Sequence, residues 1–444
     1  MPLRISEFSM WNKKILTLAA IALTSWLLYA YLKPLKQPHL TVIGPLRMAD
    51  GIGRQAGELI EALKDEVDIH FIPCGGYSLE GVPISIHSIV TYTKHPKFLG
   101  YFKALTPPLG KVVIFEDVLD LKGHKVSKKI KTLKNKHEIR IAYSMYEASQ
   151  IPPEWVETFN AYFDAIAVPD RFLQEVYLNS GVNIPIFELP LGLNLNDFLE
   201  KPLKSQCNVP FVFGNLSSAV SRKNQLKLIR CFYLAFGNSS QVKLRINSRY
   251  SDPDYREDIL ATIEQFGMTN VEFTEGTLDK QDYLKIFEGL DCYVSLSTGE
   301  GFSIQPREAM ALGIPTLLTD NTAQTTLCKS HLTRAIPCQI EMPAFNVGFN
   351  NTYGVCYDCT EEEVVQALLD MYENYDKYLQ HRKDAREWVQ QYCYNRLNTL
   401  YLTLVKPQQV ILGKENKLTD DALITTSPEL VEKYQRLLGI HNNL

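Results

Sequence analysis

Cysteine is sparse in this sequence, nine in 444 residues, too few for a disulfide scaffold. The one C-x-x-C pair, Cys356 and Cys359, has no second pair to complete a zinc site. The cysteines therefore read as mostly buried thiols in a reducing compartment. An excess of one charge is also missing. Lys and Arg number 46 against 50 Asp and Glu, a net charge of −4, so no whole-chain basic footprint for nucleic acid exists. Internal repeats and low-complexity tracts are absent. With 45% hydrophobic and 22% charged residues, disordered and fibrous classes are excluded. At roughly 100–200 residues per domain, the length implies two to four domains. Long apolar runs are absent too, with a single exception near the start.

That exception, residues 15–32, reads ILTLAAIALTSWLLYAYL and carries no charge. At 1.5 Å per residue it spans about 27 Å, against a hydrocarbon core of about 30 Å. Lys13 and Lys14 flank it on one side, Lys33 and Lys36 on the other, and Trp26, Tyr29 and Tyr31 suit a membrane interface. A cleaved signal peptide would have a shorter apolar stretch, about 7–15 residues, ending in small residues. Tyr29-Ala30-Tyr31-Leu32 is a poor site of that kind, so one single-pass membrane anchor over residues 1–36 is expected. The flanking charges do little to orient it, since Arg4, Lys13 and Lys14 barely outweigh Lys33 and Lys36.

Downstream, short apolar runs alternate with helical patterns. Strands are expected at 40–44, 67–72, 112–115, 139–143 and 165–168, with helices at 57–63, 153–163 and 171–178. A second series has strands at 210–214, 242–246, 271–273, 292–296 and 316–319. Its helices are expected at 224–235, 254–266, 280–290 and 306–312. Buried strands alternating with helices predict an α/β fold with parallel sheets covered on both faces. Two such domains, 40–200 and 205–385, are joined by a polar linker near 196–208. One long helical pattern from 372 to about 404 leads into a C-terminal helix and tail, 386–444. The tail holds a small helix from Ser427, with Pro428 in its first turn.

The strongest chemical signal is Ser297-Thr298-Gly299-Glu300-Gly301-Phe302-Ser303-Ile304-Gln305-Pro306-Arg307-Glu308-Ala309-Met310-Ala311-Leu312-Gly313-Ile314-Pro315. It follows a strand, passes through a glycine-containing loop and enters a helix. In open α/β sheets ligands bind beyond the C-terminal ends of strands, where this loop lies. Free N–H groups at the helix start and at Gly301 and Phe302 suit an anion. Glu300 and Glu308 can reach different parts of one extended ligand, and carboxylates accept charge-assisted hydrogen bonds from sugar hydroxyls. Taken alone, the two glutamates also fit a solvated loop residue and an ordinary first-turn acid.

The whole string resembles the E-x7-E motif of retaining glycosyltransferases of family 4, the glycosyl transferases group 1. Val294-Ser295-Leu296-Ser297 before it and Thr319-Asp320 after it extend the likeness. The resemblance implies that Glu300 and the Gly301–Phe302–Ser303 backbone hold the donor sugar and its phosphate, and that Glu308 holds the nucleotide ribose. A second segment, Phe211-Val212-Phe213-Gly214-Asn215 to Ser221-Arg222-Lys223-Asn224, matches the strand, glycine loop and Arg-Lys-Asn that open a helix in the family. There Lys223, helped by Arg222, would neutralise a diphosphate. Asn215 stands where many members carry an arginine, and it is a donor-side candidate. The loop from Gly44 to Gln55, with Gly51 and Gly53, looks like the family's N-terminal loop that closes over the donor. Tyr143-Ser144-Met145-Tyr146-Glu147, then Ile151-Pro152-Pro153-Glu154-Trp155, looks like a subgroup of the same family. Glu147 is the acceptor-side candidate, with a purely structural role equally open, and Trp155 reads as packing. Leu189-Pro190-Leu191-Gly192-Leu193 is similar to the interdomain segment.

The resemblance covers roughly residues 40–405. It implies GT-B architecture, two facing Rossmann-like domains with the active site in the cleft. The implied reaction moves a sugar from a nucleotide-diphospho-sugar to a glycan, lipid or protein acceptor with retention. The last helix is expected to return to the first domain. A metal-dependent transferase needs a D-x-D at a strand end, and Asp252-Pro253-Asp254 reads instead as a turn opening a helix. Metal-independent catalysis without a cofactor is therefore expected. Two alternatives stand beside this reading: a GT-B nucleotide-sugar epimerase or phosphorylase, and a catalytically inactive, membrane-anchored sugar-binding subunit, the latter kept open by Asn215. A glycan on the sequon Asn215-Leu216-Ser217 would block the phosphate loop, which favours a cytosolic catalytic region.

Overall fold

The computed structural model describes residues 17–19, 21–26, 39–48, 51–91, 109–116, 138–346, 349–405 and 423–424. The first sheet contains β1 (Leu40–Leu46), β2 (Ile69–Tyr77), β3 (Val112–Glu116), β4 (Ile139–Tyr143), β5 (Ala165–Val168) and β6 (Ile186–Glu188). Its order is β6-β5-β4-β3-β1-β2, all parallel, and β15 (Leu423–Ile424) adds antiparallel to β6. The second sheet contains β7 (Phe211–Leu216), β8 (Val242–Ser248), β9 (Val271–Glu275), β10 (Cys292–Ser295), β11 (Thr316–Asp320) and β12 (Arg334–Pro337). These six strands, ordered β12-β11-β10-β7-β8-β9, are also parallel. The α/β architecture with parallel sheets is thus observed.

Strand periodicity explains why both faces of each sheet are covered. Along β1, Val42 joins the core on one face and Ile43 the core on the other. Along β7, Val212 and Leu216 enter one core, Phe211 and Phe213 its counterpart. With buried residues at successive positions of central strands such as β1, β3, β5 and β7, neither face there can be left to water, and helices cover both. The terminal helix Tyr394–Val405 returns to the first sheet's domain, burying Leu397, Tyr401, Leu404 and Val405 with Ala56, Leu59, Ile60 and Leu63 of the helix Gly51–Leu63. The Tyr401 hydroxyl donates to Pro190 O at 2.7 Å, so this helix also pins the interdomain segment.

Two expectations are corrected, and one hairpin was not foreseen. The single long helix expected from 372 to 404 is a series, Glu361–Glu373, Tyr375–Leu379, Arg382–Val389 and Tyr394–Val405. Asn374 and the extended Cys393 break it, because the chain must turn from the second domain back to the first. The linker near 196–208 is not free. It holds a short helix, Asn196–Leu199, and is tied to the second sheet where Lys204 pairs with the buried Asp291 at 2.8 Å. A hairpin, β13 (Ile340–Asn346) and β14 (Asn351–Asp358), was not foreseen.

Of the expected anchor, only 17–19 and 21–26 lie among the described residues. They are helical, with Leu18, Ile21, Leu23 and Trp26 exposed. Among the described residues no helix is long and apolar enough to cross a membrane. The rest of the anchor and the small helix from Ser427 lie outside the described residues.

Candidate active site

In each sheet the strand order reverses once, between β1 and β3 in the first and between β7 and β10 in the second. Such reversals open crevices at the C-terminal strand ends. The loop after β7 and the loop after β10 both start at the second crevice and are bonded together there. Thr298 N donates to Arg222 O at 2.9 Å, and the Ser297 hydroxyl reaches the same carbonyl at 3.2 Å. A short 3-10 turn, Ser221–Lys223, carries both cations, and Asn224 then turns left-handed (φ 58°) to start the helix Gln225–Phe236. Asparagine tolerates that conformation better than most residues.

This construction places Lys223 against Glu300. The Lys223 ammonium donates to Glu300 Oε1, and Arg222 lies 3.4 Å from Glu300 Oε2. Arg222 also reaches Glu147 Oε1 of the first domain at 3.2 Å. Four predicted site residues, Glu147, Arg222, Lys223 and Glu300, are therefore one charge cluster spanning the two domains. Burial alone would raise the Glu300 pKa, but Lys223 and Arg222 outweigh it and bring it to about 2. Burial pulls the Lys223 ammonium below its usual range, with Glu300 opposing. Burial likewise works against the charge on Arg222, and Glu147 with Glu300 more than restores it. The Glu300 backbone is fixed as well, its N–H donating to the Thr322 hydroxyl at 2.8 Å.

The loop glycines are required by close approach. A Cβ on Gly299 would sit 1.9 Å from the Glu147 carbonyl oxygen, and one on Gly301 would meet Met145 Cβ at 3.1 Å. Phe302 is buried in the core, with the Arg307 guanidinium 3.8 Å from its ring centroid. Arg307, fully buried, also donates to the carbonyls of Phe302 and Ser303 and so fixes the loop from below. Ser303, left-handed at φ 66°, precedes the helix Ile304–Ala311. Its hydroxyl is buried and has no hydrogen-bond partner among the described residues, beside helix N–H groups that lack intrahelical partners. The hydroxyl and these N–H groups are donors that an acceptor atom could engage.

Glu308 belongs to a second cluster. Its Oε1 accepts from Arg54 of the first domain at 2.9 Å, its Oε2 from the Tyr283 hydroxyl at 2.6 Å. Gly51 opens the helix that carries Arg54, and a Cβ there would touch Ile304 Cδ1 at 3.4 Å across the cleft. Gly53 lies against Arg47, whose N–H donates to Gly53 O at 3.1 Å; a Cβ would fall 2.5 Å from the Arg47 carbonyl oxygen. Asn215 is turned into the sheet. Its amide donates to Val294 O at 2.8 Å and accepts from the Ser217 hydroxyl at 2.7 Å. Trp155 packs edge-on against Tyr146 at 5.2 Å, and Asp252 caps the helix Pro253–Gln265, accepting from Tyr255 N at 3.2 Å.

The unforeseen hairpin crosses to the first domain beside Glu147. Ser149 N donates to Val355 O at 3.0 Å, and Val355 N to the Ser149 hydroxyl at 2.9 Å. Sequence reasoning also gave no role to Arg54 or Tyr283. Arg54 falls in the segment expected to be a loop from Gly44 to Gln55, but the structure corrects this: the helix begins at Gly51 and carries Arg54, whose partner is 254 residues away.

Residues 205–336 match the family model of Glycosyl transferases group 1. The matched domain holds Arg222, Lys223, Glu300 and Glu308. Among solved structures, sucrose-phosphate synthase from Thermosynechococcus elongatus superposes with a TM-score of 0.60 at 15% identity, covering 85% of this chain and 100% of that one. A glycosyltransferase from Rickettsia africae gives 0.60 at 13% identity, covering 84% and 99%. Anabaena HepE in complex with UDP-glucose gives 0.59 at 13% identity, covering 83% and 99%. These likenesses establish the GT-B fold. No curated protein matches the chain in sequence.

Proposed function

We propose that this protein is a retaining, metal-independent glycosyltransferase that uses a nucleotide-diphospho-sugar. The observation that carries the reading is the Lys223–Arg222–Glu300 cluster at the crevice of the second sheet, facing Glu147 from the first. A related fold supports the donor class, since HepE is seen with UDP-glucose. In this reading Glu300 accepts hydrogen bonds from the transferred sugar, and Glu308 from the ribose. Lys223 and Arg222 turn from Glu300 toward the diphosphate.

The bond from the anomeric carbon to the diphosphate oxygen breaks, and a bond from that carbon to the acceptor oxygen forms on the same face. The acceptor hydroxyl proton passes to the departing phosphate oxygen, so charge and atoms balance without a metal. Charge grows on the leaving group as the bond breaks, where preorganised cations and N–H groups are worth about 3–4 kcal/mol each. Glu300 and Glu308 sit in separate clusters with separate partners, an arrangement unlike the facing carboxylate pair of a retaining glycosidase. The acceptor, a glycan, lipid or protein, approaches from the Glu147 side. A single-pass anchor at 1–36 holds the enzyme to a membrane with the catalytic region on the cytosolic side.

The test is nucleotide release from a panel of nucleotide sugars, with and without candidate acceptors. Acceptor-dependent release with the anomeric configuration retained is expected, as is insensitivity to chelator. Release without acceptor would favour an epimerase or phosphorylase, and donor binding without turnover an inactive sugar-binding subunit. Lys223→Ala should lower turnover roughly 100-fold or more. Unchanged turnover in that variant removes the diphosphate assignment.

A further inference from the structure

Glu308 is 1% exposed, and its two oxygens receive one donor each, from opposite sides of the cleft. Tyr283 comes from the helix Lys280–Glu288 of its own domain. Arg54 comes from the first turns of the helix Gly51–Leu63 in the other domain. Arg54 is itself held by Glu58, one turn on, through Nε and Nη2 at 3.1 and 3.0 Å. The guanidinium is thus held along its Nε–Nη2 edge by Glu58 Oε1 and presents Nη1 to Glu308.

Arg54 and Tyr283 hold the Glu308 carboxylate from two sides, and each oxygen still has a lone pair beyond the one already engaged. We propose that Arg54 is a positioning residue that holds the Glu308 carboxylate aimed at the ribose diol, so that the first domain completes a nucleotide site on the second. This rests on the reading of Glu308 as the ribose ligand. Arg54 in this role touches Glu308, not the diphosphate, and the two possibilities give different results.

Calorimetry on the full chain would first select the tightest of UDP, GDP and ADP, then compare it with its 2′,3′-dideoxy analogue. The wild-type protein should prefer the ribose form by roughly 10-fold or more, the worth of a charged hydrogen bond. In Arg54→Met that preference should collapse toward unity, while the affinity for the dideoxy form stays nearly unchanged. Arg54→Lys should restore part of it, and Tyr283→Phe should reduce it less than Arg54→Met. With the donor sugar, Arg54→Met should raise KM more than it lowers kcat. Equal loss for both nucleotides in Arg54→Met would mean that Arg54 contacts the diphosphate or merely supports the fold, and would overturn the inference. An undiminished ribose preference in that variant would overturn it as well. If the wild-type protein binds one nucleotide and ignores the missing hydroxyls, the Glu308 assignment fails while the donor class survives. If it binds none of the three, the donor reading itself fails.

Discussion

A carboxylate buried as deeply as Glu300 would ordinarily take up a proton, and Lys223 and Arg222 reverse that preference. Glu58 shows the opposite balance. Burial raises it to about 7, and the adjacent Arg54 offsets only part of the cost, with Glu308 adding repulsion and Tyr143, Tyr394 and Tyr401 close by. The two groups give opposite pH dependences. Glu300, lowered from 4.5 to about 2, contributes stability that is present above pH 4.5 and lost as pH falls toward 2. For Glu58, raised from 4.5 to about 7, the unfolded chain ionises first, so stability falls as pH rises between these values. Glu58→Gln should flatten the fall between pH 5 and 7, measured as melting temperature against pH; an unaltered slope would place its origin elsewhere. The two motif glutamates should separate by ligand. Glu308→Gln should weaken both the free nucleotide diphosphate and the intact donor, because the ribose is common to both. Glu300→Gln should spare the nucleotide while turnover collapses. Each lost charged hydrogen bond is worth about 1.5–3 kcal/mol, roughly 10- to 150-fold. Equal losses for both ligands in both variants would mean that the glutamates support the fold instead of dividing the donor. At this scale the sequence already marked the site by residue type. It could not reveal that Asn215 spends its amide inside the sheet, since that depends on the neighbouring strand carrying Val294.

Loops and short elements decide how the domains meet. The loop after β10 passes so near the first domain that Gly299 has no room for a side chain beside the Glu147 carbonyl. Gly299→Ala must therefore push the loop or the domains apart. We expect at least a 10-fold loss of turnover with the melting temperature lowered by only a few degrees, and a larger radius of gyration by small-angle scattering; full activity would show that the contact can be relieved cheaply. The central strands were readable because each is a run of apolar residues between turn signals. Two gave no such signal: β6 has only three residues, and β12, at the sheet edge, fully buries only Ile336. The hairpin β13–β14 was hidden for another reason. Its first strand alternates exposed and half-buried positions, carries Pro343, and packs Ala344 against the first domain, so its apolar content reflects a neighbour remote in sequence.

At the scale of the molecule, both parallel sheets lie after residue 39, and the described core draws on nothing before it. Deleting residues 1–36 should release the protein from membranes and leave nucleotide affinity unchanged, as fractionation and calorimetry would show. A truncated chain that fails to fold would mean that the apolar segment belongs to the core. What the sequence determined alone is the pair of α/β units, the central strands of each with their helices, and the residue types at the crevice. Those follow from local rules, the period of apolar residues and the glycines and prolines that punctuate it. What only tertiary structure decided is which charges meet. Glu147 with Arg222, Arg54 with Glu308, the returning helix Tyr394–Val405 on the helix Gly51–Leu63, and the hairpin against Ser149 all join segments far apart in the chain. No period or spacing encodes such pairs, because a charge is satisfied by whatever the fold brings within about 4 Å, and burial then sets whether it stays ionised.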